Sequence, residues 1–317
     1  MLPNAKKNEL DIQLKNPRSV AEEVSLVLRD DTKSWHIRSY PKTVRLRPGE
    51  SKTVAVPVAF SGYSSKEQLY PVHLTVRSGK FHAEMVHDFR VGVAHRSSGP
   101  VSLDGSWAGW NRTKPVTIAN SDQVCRLLLG NQPWNGPTDL SAKIYAMYDA
   151  DYVYVGADIT DQKVVTFWNF PAMSYPWDTD CMEVVMDTRT NSAQGTDPPT
   201  PGLFRHLSMA EYRHTEFGPI LWRGGGAGGP LLPKPLLVPE AETFFRHTAH
   251  GYTLICRYPL KEMDGIVAKP GYKIGFDVGI SDNDGSTYRK NLHIWAGYTQ
   301  NQSWWDMGTI GALIFGK

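Results

Sequence analysis

The sequence predicts an all-β protein of two domains, a small N-terminal β-sandwich followed by a larger antiparallel β-sandwich. Three observations carry this. Short β-branched runs recur at the spacing of a sandwich across residues 8–95. A two-residue alternation runs through SAKIYAMYDADYVYVGADITD, Ser141–Asp161, the pattern of strands with one covered and one polar face. No stretch holds a 3.6-residue apolar period for three turns, so helix is minor. A chain of 317 residues can bury a core in each domain.

The first domain is read from VSLVLRD, TVRLRP, KTVAVPVAF, YPVHLTVRS and HDFRVGVA, with turns at Pro41 and at Pro48-Gly49. Its segment SWHIRSYPKTVRLRPGESKTVAVPVAF resembles the immunoglobulin-like modules appended to bacterial carbohydrate-active enzymes. HRSSGP, His95–Pro100, is small, polar and proline-ended, and reads as a linker that divides residues 1–97 from 98–317. The second domain opens with VSLDGSWAGW. In its hairpin Ile144, Ala146 and Tyr148 alternate on one strand, Asp149–Asp151 make the turn, and Val153, Val155 and Ala157 alternate on the next. Further strands are CMEVVMD, TFFRHTAHGYTLICRY, YKIGFDVGIS and TIGALIF. Asn191–Pro201 and Arg223–Pro239 read as surface loops, and GGGAGG lacks the lysine and strand–helix setting of a phosphate loop.

The formal net charge of +2 gives no global sign of nucleic acid or of an anionic membrane as partner. Residues 1–99 hold 16 of the 34 Lys+Arg and 10 of the 32 Asp+Glu, leaving 18 and 22 for the rest, a mild asymmetry that names no partner. No apolar run approaches the length of a membrane span. MLPNAKKNELDI has no apolar signal-peptide segment and reads as a cut inside a longer protein. Cys125, Cys181 and Cys256 fit no metal or redox spacing, and buried free thiols are expected.

The chemistry concentrates in YPWDTDCMEVVMDTR, Tyr175–Arg189. After Cys181 the residues alternate, with Met182, Val184 and Met186 on one face and Glu183, Val185 and Asp187 on the other. Three uses compete for the carboxylates. As catalytic acids, Asp178, Asp180 or Glu183 would serve a glycosidase or lyase, which needs two carboxyls flanking a bond. As oxygen ligands, Asp161, Asp178, Asp180 and Asp187 are candidates for calcium near strand ends. SDNDGS, Ser281–Ser286, opens like an EF-hand loop, yet Ile294 stands where the twelfth-position glutamate belongs, so it reads as a hairpin turn around Asp284-Gly285. The third use is a platform. Sugar rings have apolar C–H faces and hydroxyl rims, which flat aromatics and charged or amide side chains bind together. Trp177 among acids and NQSWWD at Asn301–Asp306 have that mixture, whereas Trp107, Trp110 and Trp295 read as packing residues.

The order of motifs then carries a family resemblance. LDGSWAGW, DLSAKIYAMYDADYVYVGADITD, WDTDCMEVVMDT, LFRHLSM, GYTLICRYPL, GFDVGISDNDG and IWAGYTQNQSWWDMGTIGALIF resemble family 9 carbohydrate-binding modules across residues 101–316. The resemblance implies a calcium-containing jelly-roll sandwich that clamps a sugar between two tryptophans without catalysis. It implies an oligosaccharide or polysaccharide partner, a covalently linked catalytic domain, and an extracellular or periplasmic parent protein of bacterial, secreted, multidomain type. Trp177 and Glu183 match the family's W-x-x-D-x-x-E phrase as first clamp and sugar-binding glutamate. Arg205 in LFRHL matches a sugar-bonding arginine, Trp304 the second clamp with Trp305 as its alternative, and Asn301 a polar contact. Gly279 stands where a characterised member has a sugar-contacting glutamine, and Ile255 replaces the glutamate of the family's G-Y-x-x-E phrase. A glycoside hydrolase or lyase, and a purely structural scaffold, are the rival readings.

Overall fold

The structure is a computed structural model that describes residues 2–4, 9–60, 68–125, 132–165, 176–188, 204–210, 241–263, 266–296 and 310–317. The chain forms two compact units, the first Met1–Val91 and the second beginning at Gly92.

The first unit holds β1 (Leu2–Asn4), β2 (Glu9–Lys15), β3 (Glu22–Asp30), β4 (Trp35–Ile37), β5 (Thr43–Leu46), β6 (Ser51–Phe60), β7 (Leu69–Ser78) and the first part of β8 (Phe81–Arg96). They pair antiparallel into two sheets, β1-β2-β6-β4 and β5-β3-β7-β8. Alternate apolar residues of each strand are buried: Leu10, Ile12 and Leu14 on β2, Val54, Val56 and Val58 on β6, and Tyr70, Val72 and Leu74 on β7. The expected turn at Pro48-Gly49 is present, with Gly49 at φ +71°, a conformation that a Cβ disfavours.

The units divide at Val91/Gly92, six residues before the expected boundary, because β8 does not stop where the polar linker was expected. Its last residues run beside the second unit's strands, Ala94 paired in parallel with Ala146, and Ser97 N donating to Tyr148 O at 2.8 Å. Gly92 allows this close approach: a Cβ there would stand 3.1 Å from Val116 and 3.5 Å from Trp295.

The second unit contains β9 (Val116–Ile118), β10 (Leu140–Tyr148), β11 (Tyr152–Asp161), β12 (Cys181–Asp187), β13 (Phe204–Ala210), β14 (Glu242–Thr248), β15 (Gly251–Pro259), β16 (Lys273–Asp282), β17 (Asn291–Ile294) and β18 (Gly311–Phe315). One layer runs β9-β10-β11-β15-β14, the other β13-β12-β16, with β17 and β18 sharing the far edge of β16. Their inner rows make one core: Ala142, Ile144, Ala146 and Tyr148 with Val153, Val155, Ala157 and Ile159 on one side, and Met182, Val184 and Met186 with Ile274, Phe276, Val278 and Ile280 on the other. The expected hairpin, the alternation of β12 and the three buried free cysteines are all present.

The outer face of β10–β11 explains Trp107 and Trp110. Gly156 has no side chain, and Trp107 and Trp110 lie in the space so left. Arg112 covers Trp107 at 4.8 Å from the ring centroid, and Trp110 Nε1 donates to Ser102 O at 2.8 Å. Trp295 is a core residue, 1% exposed. All three pack, as expected. A Cβ at residue 156 would stand 2.8–3.0 Å from both indoles. Gly156→Ala is therefore expected to cost about 1–3 kcal/mol of stability, read as a lower midpoint in thermal or urea denaturation.

Candidate functional site

Residues Pro176–Asp178 form a 3-10 turn that delivers the chain into β12 and carries Trp177, half-buried, at the end of the strand. The β16–β17 connection holds this turn. Asn283 N donates to Asp180 Oδ1 at 2.7 Å, and Asn283 Nδ2 donates to the main-chain O of Asp178 at 2.6 Å. Asn283 also fixes its own loop, its Oδ1 accepting from Gly285 N at 2.6 Å and Ser286 N at 2.9 Å, with Gly285 at φ +101°. The SDNDGS segment is thus the turn that was expected, and it clamps the tryptophan-bearing turn as well.

Glu183 lies in the outward row of β12, paired across the sheet with Gly279 and Ser208. Its Oε1 accepts from Arg289 Nη1 at 2.6 Å and from Ser281 Oγ at 3.4 Å, and Arg289 Nη1 also donates to Ser281 Oγ at 3.1 Å. The arginine and glutamate side chains are only 13% and 10% exposed, so this charge-assisted bond is made in a poorly solvated place where each ion stabilises the other. Asp178 stands close enough to feel both: burial pushes its pKa up, Arg289 lowers it and Glu183 raises it. Sequence reasoning missed Arg289. The signal was a pair of cations, Arg289-Lys290, directly after an acidic turn. Gly279 leaves room beside Glu183, since a Cβ there would meet Leu292 at 3.1 Å and the Glu183 Cβ at 3.7 Å.

Arg205 is in β13, where its backbone pairs with that of Met186 rather than of Glu183. Asn301, Trp304 and Trp305 lie outside the described residues, as do the segments 191–201 and 223–239. Ile255 is fully buried, so an apolar residue suits the position where a glutamate was noted as missing.

The acids of the second cluster are brought together by strand parity. Asp161 continues the inward row of β11 beyond Ile159, Asp282 that of β16 beyond Ile280, and Asp180 precedes Met182. All three point toward the same end of the core, 4%, 0% and 1% exposed for Asp161, Asp180 and Asp282, with one oxygen from each within 4.8 Å of the others. Asp180 accepts from the main-chain N–H of Val165 and of Asn283. Asp161 Oδ1 accepts from Lys163 N at 2.7 Å, while among the described residues its Oδ2 has no partner and neither oxygen of Asp282 receives a hydrogen bond. Burial pushes the Asp161 carboxyl up to about 6 and that of Asp282 to about 7, and the neighbouring carboxylates add to the rise. The Asp180 carboxyl is raised in the same way. The hydroxyl of Tyr252, the next inward residue on β15, is buried without a partner and is raised by burial and by these same acids. Hard, buried, unpartnered oxygens of this kind fit a calcium-like divalent ion. Of the four expected ligands the structure gathers Asp161 and Asp180 here. Asp178 is outside the trio, Asp187 lies at the other end of β12, and Asp282 was missed because it sat in a segment read only as a turn.

Beside this trio the Lys290 ammonium is 2.7 and 2.9 Å from the two oxygens of Asp139 and 2.9 Å from Asp284 Oδ2. Asp139 further accepts from Asn135 N at 2.8 Å and from Gln162 Nε2 at 2.7 Å. His293 is fully buried near Lys290 and Asp139, its ring 5.3 Å from that of Trp134 and both nitrogens unpartnered among the described residues. Burial lowers its pKa to about 4, with Asp139 raising and Lys290 lowering it. A folded pKa below the unfolded value of about 6.5 means the unfolded chain takes up the proton first. This contribution to stability is full above about pH 6.5 and disappears as pH falls toward 4. Urea denaturation at pH 7.5, 5.5 and 4.5 should therefore show a smaller acid loss in His293→Phe than in the parent, by on the order of 2–3 kcal/mol at the lowest pH.

A family model described as "Carbohydrate family 9 binding domain-like" matches residues 104–316. The chain belongs to that family. The matched span contains every residue of the two clusters just described. No curated protein matches the chain. Among solved structures it is similar to a family 9 carbohydrate-binding module from Caldicellulosiruptor kristjanssonii in complex with glucose (16% identity, 72% of this chain and 96% of that one, TM-score 0.47). The same organism's module in complex with cellotriose is also similar (17% identity, 72% and 94% covered, TM-score 0.45). A putative carbohydrate-binding protein from Bacteroides uniformis follows, at 10% identity with 71% and 98% covered and TM-score 0.41.

Proposed function

We propose that this family 9-like domain binds a glycan on the outward face of β12 and β16, with Trp177 as a stacking surface and Glu183 orienting hydroxyls. The observation that carries the reading is the adjacency of a half-buried tryptophan turn to the Glu183–Arg289 pair, an aromatic face beside an oriented charged rim. Asn301 with Trp304 or Trp305 would complete the clamp. The segment bearing them is bounded by β17 and β18, and both of those strands pair with β16. Arg205 would add a further contact from β13.

Catalysis by the same acids is disfavoured. Asp180 is fully buried with both oxygens taken by main-chain amides, and Glu183 is bonded to Arg289. The domain would act as one module of a longer, secreted bacterial protein and concentrate a linked catalytic domain on its polysaccharide.

The proposal includes one calcium ion at Asp161, Asp180 and Asp282. When bound, it supplies positive charge that compensates the three buried carboxylates and ties β11 to β12 and β16. Asp180 then passes that order to the tryptophan turn, because Asn283 bonds the Asp180 carboxylate and the Asp178 carbonyl at once.

Calorimetry on cello- and xylo-oligosaccharides, after a glycan-array screen, tests the reading. Trp177→Ala should weaken binding about tenfold or more, as loss of a stacking contact implies. Chelation should weaken the same binding and lower the thermal midpoint, though no calcium ligand faces the sugar. Chromatography over a day should show no new product; release of product that Glu183→Gln stops would establish the hydrolase instead.

A further inference from the structure

The ammonium of Lys290 stands where a second cation would stand. It is 4% exposed, enclosed by Asp139 and Asp284, and 3.6 Å from Asp282 Oδ2. Its oxygen neighbours at 2.7–2.9 Å come from two different carboxylates, one of which also receives two neutral donors that aim it inward. Asp282 therefore lies between two positions: the trio it makes with Asp161 and Asp180, and the lysine's pocket. Asp284 Oδ1 is buried and unpartnered in that pocket, an oxygen the ammonium does not use.

We propose that the site is a two-cation basin in which Lys290 is a resident, covalently attached cation. It limits the domain to one divalent ion here, and its replacement by a neutral side chain admits a second. The physical reason is charge and size. Asp139, Asp161, Asp180, Asp282 and Asp284 are too many carboxylates for one divalent ion to compensate, and an ammonium satisfies two of them at hydrogen-bond distances. Calcium takes six to eight oxygens at about 2.3–2.6 Å and would occupy a similar space. Lys290→Gln removes the charge and offers an amide oxygen as a ligand. The inference rests on the calcium reading of Asp161, Asp180 and Asp282.

The test counts calcium per full chain by equilibrium dialysis and atomic emission, with the affinity followed by calorimetry. Lys290→Gln is expected to bind one more calcium than the parent, and Asp282→Asn to lose the parent's ion, with affinity down about 100-fold or more. Asp284→Asn, which removes a lysine partner and no ligand of the parent's ion, should change affinity by no more than about threefold. Folding of Lys290→Gln only in added calcium, with the extra ion bound, also supports the proposal. An unchanged calcium count in folded Lys290→Gln, or failure of that variant to fold at any calcium concentration, overturns it while leaving the single-ion reading intact. A 100-fold loss in Asp284→Asn overturns it too, since Asp284 would then ligate the parent's ion. If the parent binds no calcium and Asp282→Asn behaves like it, the single-ion reading fails and this inference with it.

Discussion

Three carboxylates close one end of an apolar core, and the rest of the second domain is arranged around the cost of putting them there. Asp161, Asp180 and Asp282 extend the inward rows of β11, β12 and β16, so the parity that buries Ile159, Met182 and Ile280 buries them as well. Burial in a poorly solvated place pushes their carboxyls above the ordinary range, and neighbouring carboxylates add to the rise. The cluster is balanced by main-chain amides on Asp180 and by the lysine pocket beside it, and would be balanced further by the calcium ion proposed for it. The β16–β17 connection supplies both Asn283 and Lys290 to this balance, and Val165 supplies the other amide.

The same loops bear the face proposed to bind sugar. Asn283 bonds the Asp180 carboxylate and the Asp178 carbonyl, which sets Trp177 relative to β12. One position along from each other, Arg289 reaches Glu183 on the outward face and Lys290 reaches Asp139 in the basin. A dipeptide of two cations thus serves both faces of the sheet. The order of the turn that carries Trp177 and that of the acidic end of the core therefore share Asn283.

Much of this was legible in the chain. Alternation placed Met182, Val184 and Met186 inward, the Asp149–Asp151 turn located the long hairpin, and the order of motifs named the family that its model confirms over residues 104–316. What misled was polarity read locally. HRSSGP was read as a linker from His95, but β8 runs through Arg96 because pairing with β10 satisfies its backbone whatever the side chains. SDNDGS has the composition of a turn and is one, yet its second residue is also the last inward residue of β16.

By itself the sequence determined the all-β class, the inward rows of the long strands and the family, because those depend on a two-residue period and on motif order. The tertiary structure alone decided which acids meet. Asp161, Asp180 and Asp282 lie in three separate stretches of the chain, and Asp187, as acidic and as near in sequence to Asp180, is carried to the opposite end of its strand. It alone decided that Arg289 pairs with Glu183 and Lys290 with Asp139, because partners more than a hundred residues apart are chosen by sheet register and loop path, not by spacing.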